Sequence, residues 1–262
     1  MKVTAPITLP GVMMMIRSEK NQEQRCYFRL MKRIIPLSLF LTLMVLIVPQ
    51  LQAQQSDFQT WPSVQVGVEV LNNLKLQVEE EVRFHENSTM IERQINDLGI
   101  SYRLNKYVKT ALFYRIEADW KNTDTHVWRQ GLYADVSLRY EAGRFELGYR
   151  ARFQSAKVEM NEKEGQLLNG LKNRHKGSIE YDIKNSPLAP FAEGEIFLNL
   201  GGNRNSGVTA YRTWIGIKYS VDKRNEISLK YGIDQELNVP DPLRAYIVAL
   251  GYSVDFKLNS SK

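Results

Sequence analysis

From Trp61 onward the sequence repeats one unit: apolar and polar residues alternate, break at a short polar turn, and alternate again. Val64, Val66, Val68 and Val70 share one side, with Gln65, Gly67 and Glu69 opposite, because successive side chains of an extended chain point to opposite faces. After the turn Asn72-Asn73, Leu74, Leu76, Val78, Val82 and Phe84 oppose Lys75, Gln77, Glu79, Glu81, Arg83 and His85, and only Glu80 falls on the apolar side. The same reading predicts strands over 98–104, 108–120, 128–140, 144–154, 177–183, 191–200, 211–221, 227–233 and 244–256. In the last of these Tyr246, Val248, Leu250, Tyr252, Val254 and Phe256 form the apolar face, and Ala245, Ala249, Gly251, Ser253 and Asp255 form a small or polar one. Residues 156–174 are polar and aperiodic and read as the longest loop.

No stretch has helical periodicity and no linker interrupts the pattern, so 54–262 reads as one all-β domain. A soluble sandwich or a lipocalin-like barrel would share the alternation. Three features favour a membrane instead. Turns are short on one side and loops longer on the other. Aromatic residues sit near strand ends, as in Tyr102 and Tyr107, Trp120 and Trp128, Tyr140 and Phe145, the level at which such rings meet headgroups. The non-apolar face carries charges on nearly every strand, which a soluble core buries only at high cost. The expectation is an antiparallel transmembrane β-barrel of about 10–12 strands, with short periplasmic turns and longer outer loops. Counting gives about eleven, and because bacterial single-chain barrels have even numbers the expected count is ten or twelve.

The front of the chain has another character. Lys32 and Arg33 precede an apolar run, 34–48, and a short exit that ends at Ala53. This is the layout of a secretory signal peptide, 31–53, with cleavage after Ala53; the run is shorter than the ~20 residues of a spanning helix. Residues 1–30 read as an over-extended start, with Met31 the expected first residue. The whole chain carries 35 Lys+Arg and 29 Asp+Glu, and seven of the former and two of the latter precede Gln54, leaving 28 against 27. The basic balance therefore belongs to the front segment and argues for no nucleic-acid partner. Cys26 is the one cysteine, so the expected mature chain has no thiol or disulfide chemistry.

Asp57-Phe58 and Trp61 just after the signal, the run EEEVRF from Glu79 to Phe84, and the closing GYSVDF together resemble a known group. It is the uncharacterised outer-membrane barrel family of Bacteroidetes-type bacteria, catalogued as domain of unknown function 2490. The resemblance spans about 54–258 and implies a Gram-negative cell-envelope barrel, with no activity and no catalytic residues to carry over. The spacing of Gly251, Val254 and Phe256 looks like the terminal signal read by the barrel assembly machinery.

Candidate chemistry is sparse. His85, His126 and His175 are the three histidines, and Asp124 beside His126 has a spacing common by chance. No serine has a nucleophile setting, no cluster has metal-ligand spacing, and no cofactor, metal or catalytic residue is expected. The informative face is the inward one. It is expected to carry Glu79, Glu81, Arg83, Arg115, Glu117, Asp135, Arg139, Glu146, Arg150, Arg152, Glu193, Glu195, Arg212 and Lys218. Paired with one another these charges would plug a narrow barrel; lining a wet path they would select small polar solutes. The favoured reading is a structural or surface-interaction barrel in outer-membrane lipid, exported by a cleaved signal peptide, with a charge-paired lumen. A narrow pore is the alternative and a hydrolase the weakest.

Overall fold

The computed structural model describes residues 55–120, 125–155, 158–159, 171–201 and 207–258. The described chain is strand and turn: β1 Ser56–Leu71, β2 Leu74–His85, β3 Met90–Arg103, β4 Val108–Trp120, β5 His126–Ala142, β6 Phe145–Gln154, the two-residue β7 Val158–Glu159, β8 Lys172–Tyr181, β9 Leu188–Asn199, β10 Gly207–Ser220, β11 Asn225–Glu236 and β12 Arg244–Lys257. Each long strand pairs with its sequence neighbour, and β12 returns to β1, so the sheet closes on itself. The small β7 pairs only with the start of β5, at Arg129 and Gln130.

The result is a closed barrel of 11 strands, and it corrects two expectations. Eleven lies within the expected 10–12 and equals the number of alternating segments; what fails is the expectation of an even count. The sheet is also not wholly antiparallel: β1 and β12 run parallel, in register from Ser56–Arg244 to Glu69–Lys257. The two follow from each other, since an odd number of up-and-down strands brings first and last together pointing the same way. Parallel pairing is slightly weaker per residue, and the seam compensates by length. It also sends the ends of the described chain to opposite rims, Ser56 among the longer connections and Lys257 among the short turns.

The turns at the C-terminal rim are tight for identifiable reasons. Asn73 takes φ 68° and Gly143 φ 64°, the left-handed conformation a two-residue hairpin requires. In the turn before β11, Asp222 accepts the backbone N–H of Arg224 at 2.7 Å and of Asn225 at 2.9 Å. The Arg224 N–H, then the Asn225 contacts, hold this exposed carboxyl below its ordinary range.

The barrel is polar inside and apolar outside. Among the described residues twelve buried side chains are polar or charged and eight hydrophobic, while outward residues such as Leu132, Leu147, Ile215 and Leu250 stay exposed. Several strands begin earlier than expected, β3 and β8 among them. β3 begins at Met90, eight residues earlier than its alternation shows, and β8 begins at Lys172, inside the stretch read as loop, and ends at Tyr181. In β3 the usual sense is inverted: Ile95 is buried inside, while Gln94 points out, where its amide reaches the outward Glu80 at 2.7 Å. The expected signal peptide and early start, and Asp124, lie outside the described residues.

Candidate functional site: the barrel lumen

The expected inward charges lie on the inner face, and the structure joins them into pairs except Glu79, which makes no ion pair among the described residues. Arg115 grips Asp97 through Nε at 2.7 Å and Nη2 at 2.6 Å, and the Tyr133 hydroxyl donates to the same carboxylate at 2.7 Å. Arg152 and Asp135, directly opposite on β6 and β5, form a second two-pronged pair at 2.8 Å each. Arg150 and Arg174 converge on Glu195 at 2.7 and 2.8 Å. Lys176 meets Glu193 at 2.8 Å, Lys218 meets Glu180 at 2.5 Å, Arg83 meets Glu81 at 2.6 Å and Arg139 meets Glu146 at 2.6 Å. Arg212 pairs with Asp234, and Arg93 and Arg129 share Asp119. Glu117, nearly inaccessible, lies 3.6 Å from Arg115. Most of these pairs join adjacent strands, because the register puts opposite charges across from each other, as in Asp97–Arg115, Asp135–Arg152 and Arg212–Asp234.

Sequence reasoning missed the aromatic half of this interior. Trp61 on β1 and Trp214 on β10 meet edge to face, centroids 5.8 Å apart, over Ala245, Ile247 and Ala249 of β12. The small residues of β12 leave the space that the indoles occupy. Gly232 on β11 lies directly opposite Trp214, and a β-carbon there would overlap the indole. Arg83 lies 3.8 Å and Arg212 4.7 Å from the Trp61 ring, and Lys230 4.6 Å from that of Trp214. Arg152 lies 3.8 Å from the ring of Tyr133. Each such contact contributes about 0.5–2 kcal/mol where water is excluded. The signal that could have found them was in the sequence: Trp61 and Trp214 fall on the polar face of their strands, where an aromatic residue is out of place.

With paired charges and indoles filling it, the middle of the lumen keeps a cavity of about 150 Å³ bordered by Trp61, Asp97, Arg115, Glu195 and Trp214. Wider recesses open at each end. One of about 870 Å³ lies toward the longer connections, between Arg93, Arg212, Phe197 and Leu237. Another, of about 520 Å³, lies toward the short turns, between Arg103, Lys109, Arg139 and Tyr149.

A family model described as a protein of unknown function, DUF2490, matches residues 58–240. The chain belongs to this DUF2490 family. No curated protein matches the sequence. The residues on which the resemblance rested now have physical tasks in the DUF2490 barrel. The Asp57 carboxylate accepts the backbone N–H groups of Glu86 and Asn87 at 3.2 and 2.9 Å. It thereby holds a connection in which Glu86, Asn87 and Ser88 all take positive φ, a conformation that costs non-glycine residues energy. Trp61 is half of the indole pair. The run from Glu79 to Phe84 sends Glu79, Glu81 and Arg83 into the lumen and Glu80 outward.

The histidines do not converge. His85 ends β2, His126 packs 5.3 Å from Trp120 and 5.5 Å from Trp128, and His175 points outward with Nδ1 2.6 Å from the Tyr149 hydroxyl. Among the described residues no group of His, Cys, Asp or Glu has the arrangement of a metal site. Gly251 faces the lumen near the C-terminal rim, and Val254 and Phe256 face outward.

Proposed function

We propose that this DUF2490 chain is an outer-membrane β-barrel, exported by a signal over 31–53, whose mid-lumen is sealed and which serves as a structural or surface-interaction protein. The observation that carries the sealed lumen is the Trp61–Trp214 contact capped by Arg83 and Arg212, set among reciprocally paired charges. Desolvated ions persist only when paired and hydrogen-bonded, and most of the lumen charges are paired.

The membrane reading is supported by the exposed apolar outer face and by aromatic rings near both rims. Tyr107 stacks with Tyr140, centroids 6.5 Å apart, and Phe145 meets Tyr181 at a tilt, 4.9 Å apart, by the short turns; Trp120 and Trp128 lie at the other end. In this reading the short turns are periplasmic, the long connections outside, and Gly251, Val254 and Phe256 address the assembly machinery. Catalysis is not part of the proposal. Interaction falls to the outer connections and the recess of about 870 Å³ beneath them.

The test is single-channel conductance of residues 54–262 in planar bilayers, with folding checked by heat-modifiable gel mobility. The sealed barrel is folded and silent. Steady wild-type current whose ion selectivity changes in Arg150→Glu would overturn the proposal in favour of the narrow pore, the reading that the recesses at both ends favour.

A further inference from the structure

At the short-turn rim the pairing of charges fails on one wall. Arg103 and Lys109 are direct register partners on β3 and β4. Both are exposed toward the lumen mouth, and among the described residues neither makes an ion pair. Like charges directly opposite in a ladder destabilise it. The row continues without a carboxylate: Lys109 is opposite Ser137, Ser137 opposite Arg150, and Arg150 opposite Lys176. Four cations and a hydroxyl therefore form one inner arc across β3, β4, β5, β6 and β8, about 19 Å long at ~4.8 Å per strand.

This arc lines the recess of about 520 Å³, too large for a single water and open to the rim. The two carboxylates at its edge, Glu141 and Glu146, are both engaged by Arg139, at 3.0 and 2.6 Å. Arg150 spends its Nη2 on Glu195 but its buried Nε has no hydrogen-bond partner. Gly148 adds room: a β-carbon there would press on the Ser178 hydroxyl, which lines the same recess. Carboxylates gather on another part of this rim, where Asp255 pairs with Lys75 at 2.5 Å and Glu69 lies 3.6 Å from Lys257.

We propose that this arc is a binding site for a phosphate-bearing anion, with Arg103 and Lys109 as its principal contacts. A multiply charged oxyanion between them would replace the repulsion by charge-assisted hydrogen bonds, from the planar fork of Arg103 and the ammonium of Lys109. Arg150 and Lys176 are already held by Glu195 and Glu193, so Arg103 and Lys109 are the arc's two cations without a carboxylate among the described residues. Two opposed cations fit a doubly charged oxyanion better than a single carboxylate. The inference stands apart from the sealed lumen, because the recess is reached from the rim whether or not the middle conducts.

The experiment is isothermal titration calorimetry on the folded protein in zwitterionic detergent at low salt. One arm adds inorganic pyrophosphate; a second adds phosphatidic acid in mixed micelles. Saturable binding that weakens at least tenfold in Arg103→Gln/Lys109→Gln is expected. It should persist in Lys223→Gln/Arg224→Gln, which removes the same charge from the turn before β11. Response to pyrophosphate assigns a soluble ligand, and response to phosphatidic acid alone assigns a lipid headgroup. No saturable heat in either arm, or equal loss in both double variants, would overturn the proposal. Removing a repelling pair should leave folding intact, which gel mobility checks. Lys109→Glu, able to pair with Arg103, should abolish binding while the barrel stays as stable or more so.

Discussion

Asp135→Ala is the sharpest probe of the sealed lumen. Asp135 and Arg152 face each other across β5 and β6, joined by two hydrogen bonds of 2.8 Å. Each side chain is only 8% exposed. At a charge separation of ~4 Å and an effective dielectric of ~20 their attraction is about 4 kcal/mol, set against the cost of removing both from water. Deleting the carboxylate alone strands the guanidinium among Tyr133 and Arg115, and the expected loss is about 3–5 kcal/mol. Asp135→Leu/Arg152→Met removes both charges and should lie within about 1 kcal/mol of wild type or above it. Equilibrium urea unfolding followed by tryptophan fluorescence measures this, as a fall in midpoint at unchanged slope. A loss below about 1 kcal/mol for Asp135→Ala would mean that water reaches Arg152. The lumen would then be hydrated at this level and the sealed reading would fail.

Three further outcomes are expected. Leu147→Arg puts a charge on the outer face of β6 and, if that face meets lipid near the midplane, costs roughly 2–4 kcal/mol; normal assembly by gel mobility would refute the assignment of faces. Gly232→Ala should destabilise by about 1–3 kcal/mol through overpacking and shift tryptophan emission, since the new methyl meets Trp214 and the Thr213 carbonyl; unchanged emission would show that Trp214 does not rest on β11. Asp57→Ala should speed hydrogen exchange of the Glu86 and Asn87 amides while changing global stability by only about 1 kcal/mol. Equal exchange would mean that the connection holds its positive φ values without that carboxylate.

The inward list could be read from sequence because a barrel wall has period two and one polar face, so parity alone sends Glu79, Arg115 or Glu195 inside. β3 was legible only from Leu98 because its first half breaks the pattern. There Ile95 turns inward, while Gln94 turns outward toward Glu80, and Glu92 is an extra residue where the pairing with β2 slips between Arg83 and Phe84. The start of β8 was hidden similarly: Lys172, Arg174 and Lys176 face in, but the outward Asn173 and His175 are polar too.

Alternation by itself determined the class of fold, most of the strand positions and which face holds the charges, since each depends only on neighbours along the chain. The manner of closure was beyond it. Whether eleven strands join by a parallel seam depends on how twist and stagger accumulate around the ring, and no local pattern records that sum. Partners were beyond it as well. That Asp135 meets Arg152, that Trp61 reaches Trp214 over an alanine-lined strand, and that Arg103 faces Lys109 unpaired are consequences of register. Register is fixed between strands, by turn geometry and packing, and only the closed barrel decides it.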